Sequence, residues 1–165
     1  MSIEIERRFI VEGELWKKYA SKPKLLKQGY LSINFEEWVI RLRIIDDKES
    51  FLTLKSRIGE RRNYDLEYNI PYKDAELIFE SISRKVFKKR YSLNFSPGEW
   101  IVDCFEGTNK SLVLAEVALP SEEVSIPIPN WCSKEITGIK KFSNASLATN
   151  PISNWNMKER QIFDI

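Results

Sequence analysis
From residue 2 to residue 119 the chain runs mostly in short stretches where polar and apolar residues alternate, the period of a β-strand. The alternation predicts strands over residues 2–11, 27–33, 37–45, 50–57, 65–70, 87–95, 100–105 and 111–119. Asp46-Asp47-Lys48 is a polar tip suited to a hairpin turn, and Ser96-Pro97-Gly98-Glu99 is a second turn. Residues 100–105 and 111–119 are expected to pair as a further hairpin. After Pro71 the period changes. Ala75, Leu77, Ile78, Ile82 and Val86 recur at helical spacing, which predicts a helix from Lys73 to about Lys85 with Asp74 as its cap. Shorter helices are expected over 13–20, ended by Pro23, and over 143–149. Residues 120–129 form a Pro-rich connection, and the tail from Ser153 is polar with scattered Trp, Ile and Phe.

The polar positions of these strands are unusual. An ordinary half-buried strand has one oily face and one bland polar face. Here the polar face is ionised strand after strand: Glu4, Glu6 and Arg8; Arg41 and Arg43; Lys55; Asp65 and Glu67; Lys88 and Arg90; Glu116. Residues i and i+2 point the same way, so each set shares one face of its strand. A flat sheet would leave such charges in bulk water, where they need no such order. The expected architecture is therefore an antiparallel α+β domain of about eight strands and two or three helices, with the strands in a closed or nearly closed barrel. A channel with both signs of charge suits a polyanion gripped by Lys and Arg together with a divalent cation on carboxylates. Arg41 and Arg43 offer two planar forks for bidentate phosphate contact.

Composition narrows the chemistry. The chain has 165 residues, 42% of them hydrophobic, enough for one core. Its formal charge is only +2, which argues against a nucleic-acid partner. There is no long apolar run, so no membrane span is expected. The absence of histidine excludes histidine-based zinc sites and Ser-His-Asp triads. Any metal must be held mainly by oxygen, which favours Mg²⁺ or Mn²⁺. Cys104 and Cys132 show no metal or redox spacing, and the start MSIEIERRF lacks the pattern of a secretory leader, so a cytoplasmic location is expected. Oligomeric state stays open between monomer and homodimer.

The ordered set of motifs resembles the CYTH, or triphosphate tunnel metalloenzyme, family, and is most similar to its small bacterial tripolyphosphatase-like members. Glu4-Ile5-Glu6-Arg7-Arg8 resembles the family's opening Glu-x-Glu-x-Lys signature. Arg41-Leu42-Arg43 looks like its arginine pair, Thr53-Leu54-Lys55 its tunnel lysine, and Asp65-Leu66-Glu67 its acidic pair. Lys88-Lys89-Arg90, Asp103-Cys104-Phe105-Glu106 and Leu114-Ala115-Glu116-Val117 look like its later basic strand and closing acidic hairpin. The likeness covers nearly residues 1–150 and implies an α+β fold, an eight-stranded antiparallel β-barrel tunnel with a few flanking helices over residues 1–150 and a C-terminal tail over 151–165.

The resemblance implies a metal-dependent triphosphatase, acting on a small-molecule triphosphate: inorganic tripolyphosphate, or a nucleoside or thiamine triphosphate. Carried over by position, Glu4, Glu6, Arg8 and Glu67 are the expected catalytic set. Arg41, Arg43, Lys55, Lys88, Arg90 and Lys140 are expected to bind phosphate, and Glu4, Glu6, Asp103 and Glu116 to bind metal. Asp65, Glu67 and Asp103 are alternatively expected to hold water at the metal or to orient the basic residues. Two positions depart from the pattern. Arg8 replaces the signature lysine and cannot act as a base, because a guanidinium keeps its proton. Ala118 stands where a second carboxylate is usual. A triphosphate-binding sensor and a class IV-type adenylate cyclase are the alternatives.

Overall fold
The computed structural model of the chain describes residues 2–34, 36–58 and 62–165, including the side chains of all but residues 2–4 and 62. Among the described residues, nine strands form one antiparallel sheet: β1 (Ser2–Val11), β2 (Lys24–Ile33), β3 (Val39–Ile45), β4 (Glu49–Arg57), β5 (Arg62–Asn69), β6 (Lys85–Ser92), β7 (Glu99–Phe105), β8 (Val113–Ala118) and β9 (Cys132–Glu135). Three α-helices accompany them: α1 (Tyr72–Ser81), α2 (Asn144–Thr149) and α3 (Met157–Gln161). The strand order is β5-β4-β3-β2-β6-β7-β8-β1-β9. β1 divides its pairing. Glu6–Ile10 pair with β8, while Ser2–Ile5 pair with β5, so the ladder returns to the strand where the order began. The result is a tunnel-like interior.

The α+β, antiparallel expectation holds, with differences at particular elements. The sheet has nine strands rather than eight; β9 is a four-residue strand beside the end of β1, too short to show a period. The helix expected to reach Lys85 stops at Ser81, and Val86 belongs to β6. Pro71 occupies the cap position of α1 without a side-chain bond, and Asp74 sits inside the first turn. Residues Leu15–Tyr19 form a 3-10 turn where a short helix is expected.

Strand alternation sorts the apolar residues into three cores. On the outer wall, Phe9, Trp100, Val102, Ala115 and Val117 pack under Trp16, Leu93 and Trp131. Elsewhere on that wall, Leu42 and Ile44 are covered by Ala75 of α1 and its neighbours. The third core lies at one end of the interior. There Ile10, Val86, Phe105 and Leu114 meet Phe142, Leu147, Ile152 and Trp155 from the C-terminal segment. The tail thus docks rather than frays. The inner face of a single strand is therefore graded: β1 runs Glu6, Arg8, Ile10 and β6 runs Arg90, Lys88, Val86, ionised at one end and apolar at the other. The C-terminal segment forms a floor across the apolar end.

Candidate active site in the charged tunnel
Above that floor is a cavity of about 200 Å³. Its described wall carries seven basic side chains (Arg8, Arg41, Arg43, Lys55, Arg57, Arg90 and Lys140) and four acidic ones (Glu6, Glu37, Asp65 and Glu116). The strands bring most of these together because each presents the ionised positions of its inner face, while Glu37 and Lys140 come from the connecting segments. Direct cross-strand pairs place Arg8 beside Glu116, Lys55 beside Asp65, and Arg41 beside Thr53. Gly138, Ile139 and Ser143 to Ala145 add the floor segment.

The arginine pair is held at one end only. Arg41 Nη2 donates to Thr53 Oγ1 at 3.1 Å and Arg43 Nη2 to Glu67 Oε2 at 2.5 Å. The Nε of each guanidinium is buried with no acceptor. Burial, together with the neighbouring Arg41 charge, pulls the Arg43 guanidinium down to about 10. An arginine destabilised in this way is a cation crowded among cations, and a bound polyanion would relieve it.

Arg8 and Arg90 are better matched. Arg8 Nε donates to Glu116 Oε1 at 3.0 Å and its Nη1 to the Phe142 carbonyl at 3.1 Å. Burial works against its charge, but Glu116, Glu6 and Asp103 outweigh it and raise its pKa. Burial likewise disfavours the Glu116 carboxylate, yet Arg8 and Arg90 hold its pKa below the ordinary value. Arg90 makes two bonds to Asp103, Nε to Oδ1 at 2.8 Å and Nη2 to Oδ2 at 2.7 Å.

Three expected site residues fall elsewhere. Lys88 has a side chain with 0% exposure, and its Nζ donates to Asp103 Oδ2 at 2.5 Å. Asp103 is 1% exposed and bonded to both Lys88 and Arg90. Neither lines the cavity: Lys88 stands across from Phe105, and the Asp103 carboxylate is taken up by Lys88 and Arg90. Lys88 and Asp103, expected to bind phosphate and metal, are bonded to each other here, and Asp103 also accepts both bonds from Arg90. Glu67, expected in the catalytic set, is bonded to Arg43 and Thr53 and does not line the cavity. The expectation placed on the Glu4 carboxylate lies outside the described side chains.

The donor set fits a hard divalent cation. Glu6 and Glu116 supply ionised oxygen on the cavity wall, with no histidine or cysteine beside them. No group of three metal-ligating side chains converges among the described residues. Mg²⁺-like ions are commonly held by one or two carboxylates and completed by substrate phosphate and water.

Comparison with known proteins identifies the family. The chain is 37% identical over 157 residues to an inorganic triphosphatase of Acetivibrio thermocellus, covering 94% of this chain and 99% of that one. The chain belongs to the CYTH, or triphosphate tunnel metalloenzyme, family. A second inorganic triphosphatase, from Nitrosomonas europaea, is 35% identical and covers 88% of this chain and 96% of its own length. The crystal structure of an inorganic triphosphatase superposes with a TM-score of 0.63 at 32% identity, over 90% of this chain and 95% of that one. A putative adenylate cyclase from Bacillus halodurans shares the fold, with a TM-score of 0.60 at 17% identity over 74% of this chain and 84% of that one. No family model matches the chain.

Within this CYTH site several lining residues were not among the expected site residues. Tyr30 lines the cavity although its residue is only 3% exposed, and burial pushes its phenol up to about 12. By alternation it shares a strand face with the uncharged Gln28 and Ser32, so the pattern of ionised positions does not pick it out. Asn34, Glu37 and Arg57 sit at strand ends on the cavity wall, where alternation is broken by turns. Asn144 reaches the cavity only through the fold of the C-terminal segment. No helix of the described residues is long and apolar enough to cross a membrane.

Proposed function
We propose that this protein hydrolyses inorganic tripolyphosphate in its tunnel, with Mg²⁺ or Mn²⁺ as the cofactor. The observation that carries this reading is the pair of buried guanidinium Nε groups, on Arg41 and Arg43, that have no acceptor on a wall where cations outnumber carboxylates. A linear triphosphate offers oxygens along its whole length and about four negative charges, too many for one cation to offset at close range. Arg41, Arg43, Lys55 and Arg57 would bind along it, with Lys140 beside the floor segment.

Bound Mg²⁺ or Mn²⁺, on Glu6 and Glu116, would polarise a phosphoryl oxygen and offset charge on the phosphate that leaves. Arg8 and Arg90 stay cationic and fixed in direction, so they stabilise charge without reorganising as it shifts. Tyr30 stays a neutral phenol and donates its O–H to a phosphate oxygen. Glu6, on the cavity wall, orients the attacking water. Glu67 and Asp103 act as positioning residues for the arginines.

Inorganic substrate is favoured over nucleoside or thiamine triphosphate by the wall itself. Tyr30 is the single aromatic residue on the described wall, and its ring is packed rather than offered for stacking. The expected cytoplasmic location belongs to the same proposal and rests on the two thiols, Cys104 and Cys132, both free.

Phosphate release from tripolyphosphate, ATP and thiamine triphosphate tests the substrate assignment, with cyclic AMP formation from ATP followed in parallel. Tripolyphosphate is expected to be the preferred substrate, with no cyclic product. Preference for ATP, or cyclic AMP formation, would overturn it.

A further inference from the structure
Lys88 touches more than Asp103. Its Nζ also donates to Asn144 Oδ1, at 3.3 Å, across the boundary between β6 and the floor segment. An ammonium group has donors only, so the amide of Asn144 must turn its oxygen toward Lys88. Its NH₂ then points the other way. Asn144 lines the cavity, and none of the described hydrogen bonds uses that NH₂. The amide is also held in place. Arg8 pins the carbonyl of Phe142, two residues earlier, and the Ser143 hydroxyl accepts from Ser146 N at 3.1 Å. Leu147, one turn later, is buried in the floor core.

We propose that Asn144 is a substrate-binding residue at the closed end of the tunnel. Its side-chain amide, turned by Lys88, donates an N–H to the phosphate group that reaches deepest. Lys88 is the positioning residue behind it. The inference rests on the triphosphate reading above and adds the contact at the floor. An uncharged donor suits this place. Arg8 and Arg90 already supply charge on the same wall, and a neutral amide adds direction without further cation crowding. The pairing also explains why an amide stands opposite a buried lysine. A carboxylate there would pair more strongly with Lys88 but would turn its second oxygen against the phosphate.

Calorimetric titration with tripolyphosphate in EDTA tests this on the full chain, the Asn144→Ala and Asn144→Asp variants, and Thr149→Ala as a control. Thr149 is on the same helix, with its hydroxyl bonded to the Ala145 carbonyl, and does not line the cavity. Loss of a hydrogen bond to a charged partner predicts that Asn144→Ala binds about tenfold more weakly, with Thr149→Ala unchanged. Asn144→Asp is expected to bind more weakly still, although it keeps its contact with Lys88. A merely structural role predicts the reverse order, because the aspartate holds Lys88 better than alanine does. Unchanged binding by Asn144→Ala, or tighter binding by Asn144→Asp than by Asn144→Ala, overturns the proposal. If Asn144→Ala does not fold, the near-isosteric aspartate variant against the unsubstituted chain still decides it: unchanged binding overturns the proposal and weakened binding supports it. No binding by the unsubstituted chain in EDTA overturns this inference; if phosphate release with Mg²⁺ is also absent, the proposed function falls as well, which is a separate result.

Discussion

Asp103 accepts three hydrogen bonds from cations in a place where water does not reach. Burial alone would raise its pKa. Lys88 and Arg90 outweigh burial and hold its carboxyl well below the usual carboxylate range. A folded-state pKa below the unfolded value, about 3.9 for aspartate, means stability that is present above that value and is lost as pH falls through the folded one. Thermal unfolding of the unsubstituted protein should therefore become steeply pH-dependent below about pH 4. Asp103→Asn should unfold at lower temperature at pH 7 and show a shallower acid decline; parallel curves for the two proteins would refute this. A second residue-scale effect concerns Ala118. It pairs directly with Glu6, so a side chain there lies about 5 Å away between Cβ atoms. Ala118→Glu should add an oxygen beside Glu6 and tighten Mn²⁺ binding by about tenfold, roughly 1.4 kcal/mol. Calorimetry with Mn²⁺ and no phosphate checks it, and unchanged affinity would mean that the missing carboxylate is not what limits metal binding.

At the level of elements, the strands were legible because their period of two is uninterrupted, and the hairpins β3–β4 and β7–β8 pair as expected. The inner face was legible for the same reason. What alternation does not encode is depth. Arg90 and Lys88 share a face in the sequence, yet register sets one on the cavity wall and the other off it, across from Phe105. Glu67 and Asp103 stand level with Arg41 and Arg90, yet their carboxylates are taken up by arginines and do not line the cavity, which alternation does not encode either. The helix boundary near Lys85 was misread because Ile82 and Val86 continue the helical spacing of α1 by coincidence, Val86 being apolar for the floor core. β9 has no such pattern, and the partner edge of β1 defines it. Turns carry their own constraint. Gly98, leading into β7, has φ +97°, and a Cβ added there would lie 2.7 Å from Val117 Cγ2. Gly98→Ala combines a disfavoured backbone with overpacking and should destabilise the protein by about 2 kcal/mol in urea unfolding. A change within error would show that the hairpin relaxes freely.

For the whole molecule, the net charge of +2 conceals the arrangement that matters. The described tunnel wall carries an excess of cations, and much of the balancing acid lies elsewhere on the chain. Tripolyphosphate binding should accordingly weaken as salt rises, though less steeply than at an open surface, because a partly enclosed site is screened less. Titrations across a salt series would show this, and a flat response would argue that charge does not drive binding. The fold supports that arrangement from both sides: outer cores brace the wall, while the floor core closes one end and fixes Arg8 through the Phe142 carbonyl. The most direct test of the account is release of phosphate from tripolyphosphate with Mg²⁺, with Mn²⁺ and with EDTA, for the unsubstituted protein and for Glu116→Gln. The account predicts release that requires the divalent ion and falls by at least about a hundredfold in the variant, as loss of a charged contact at the reacting centre implies. Release that persists in EDTA, or that Glu116→Gln leaves unchanged, would contradict it.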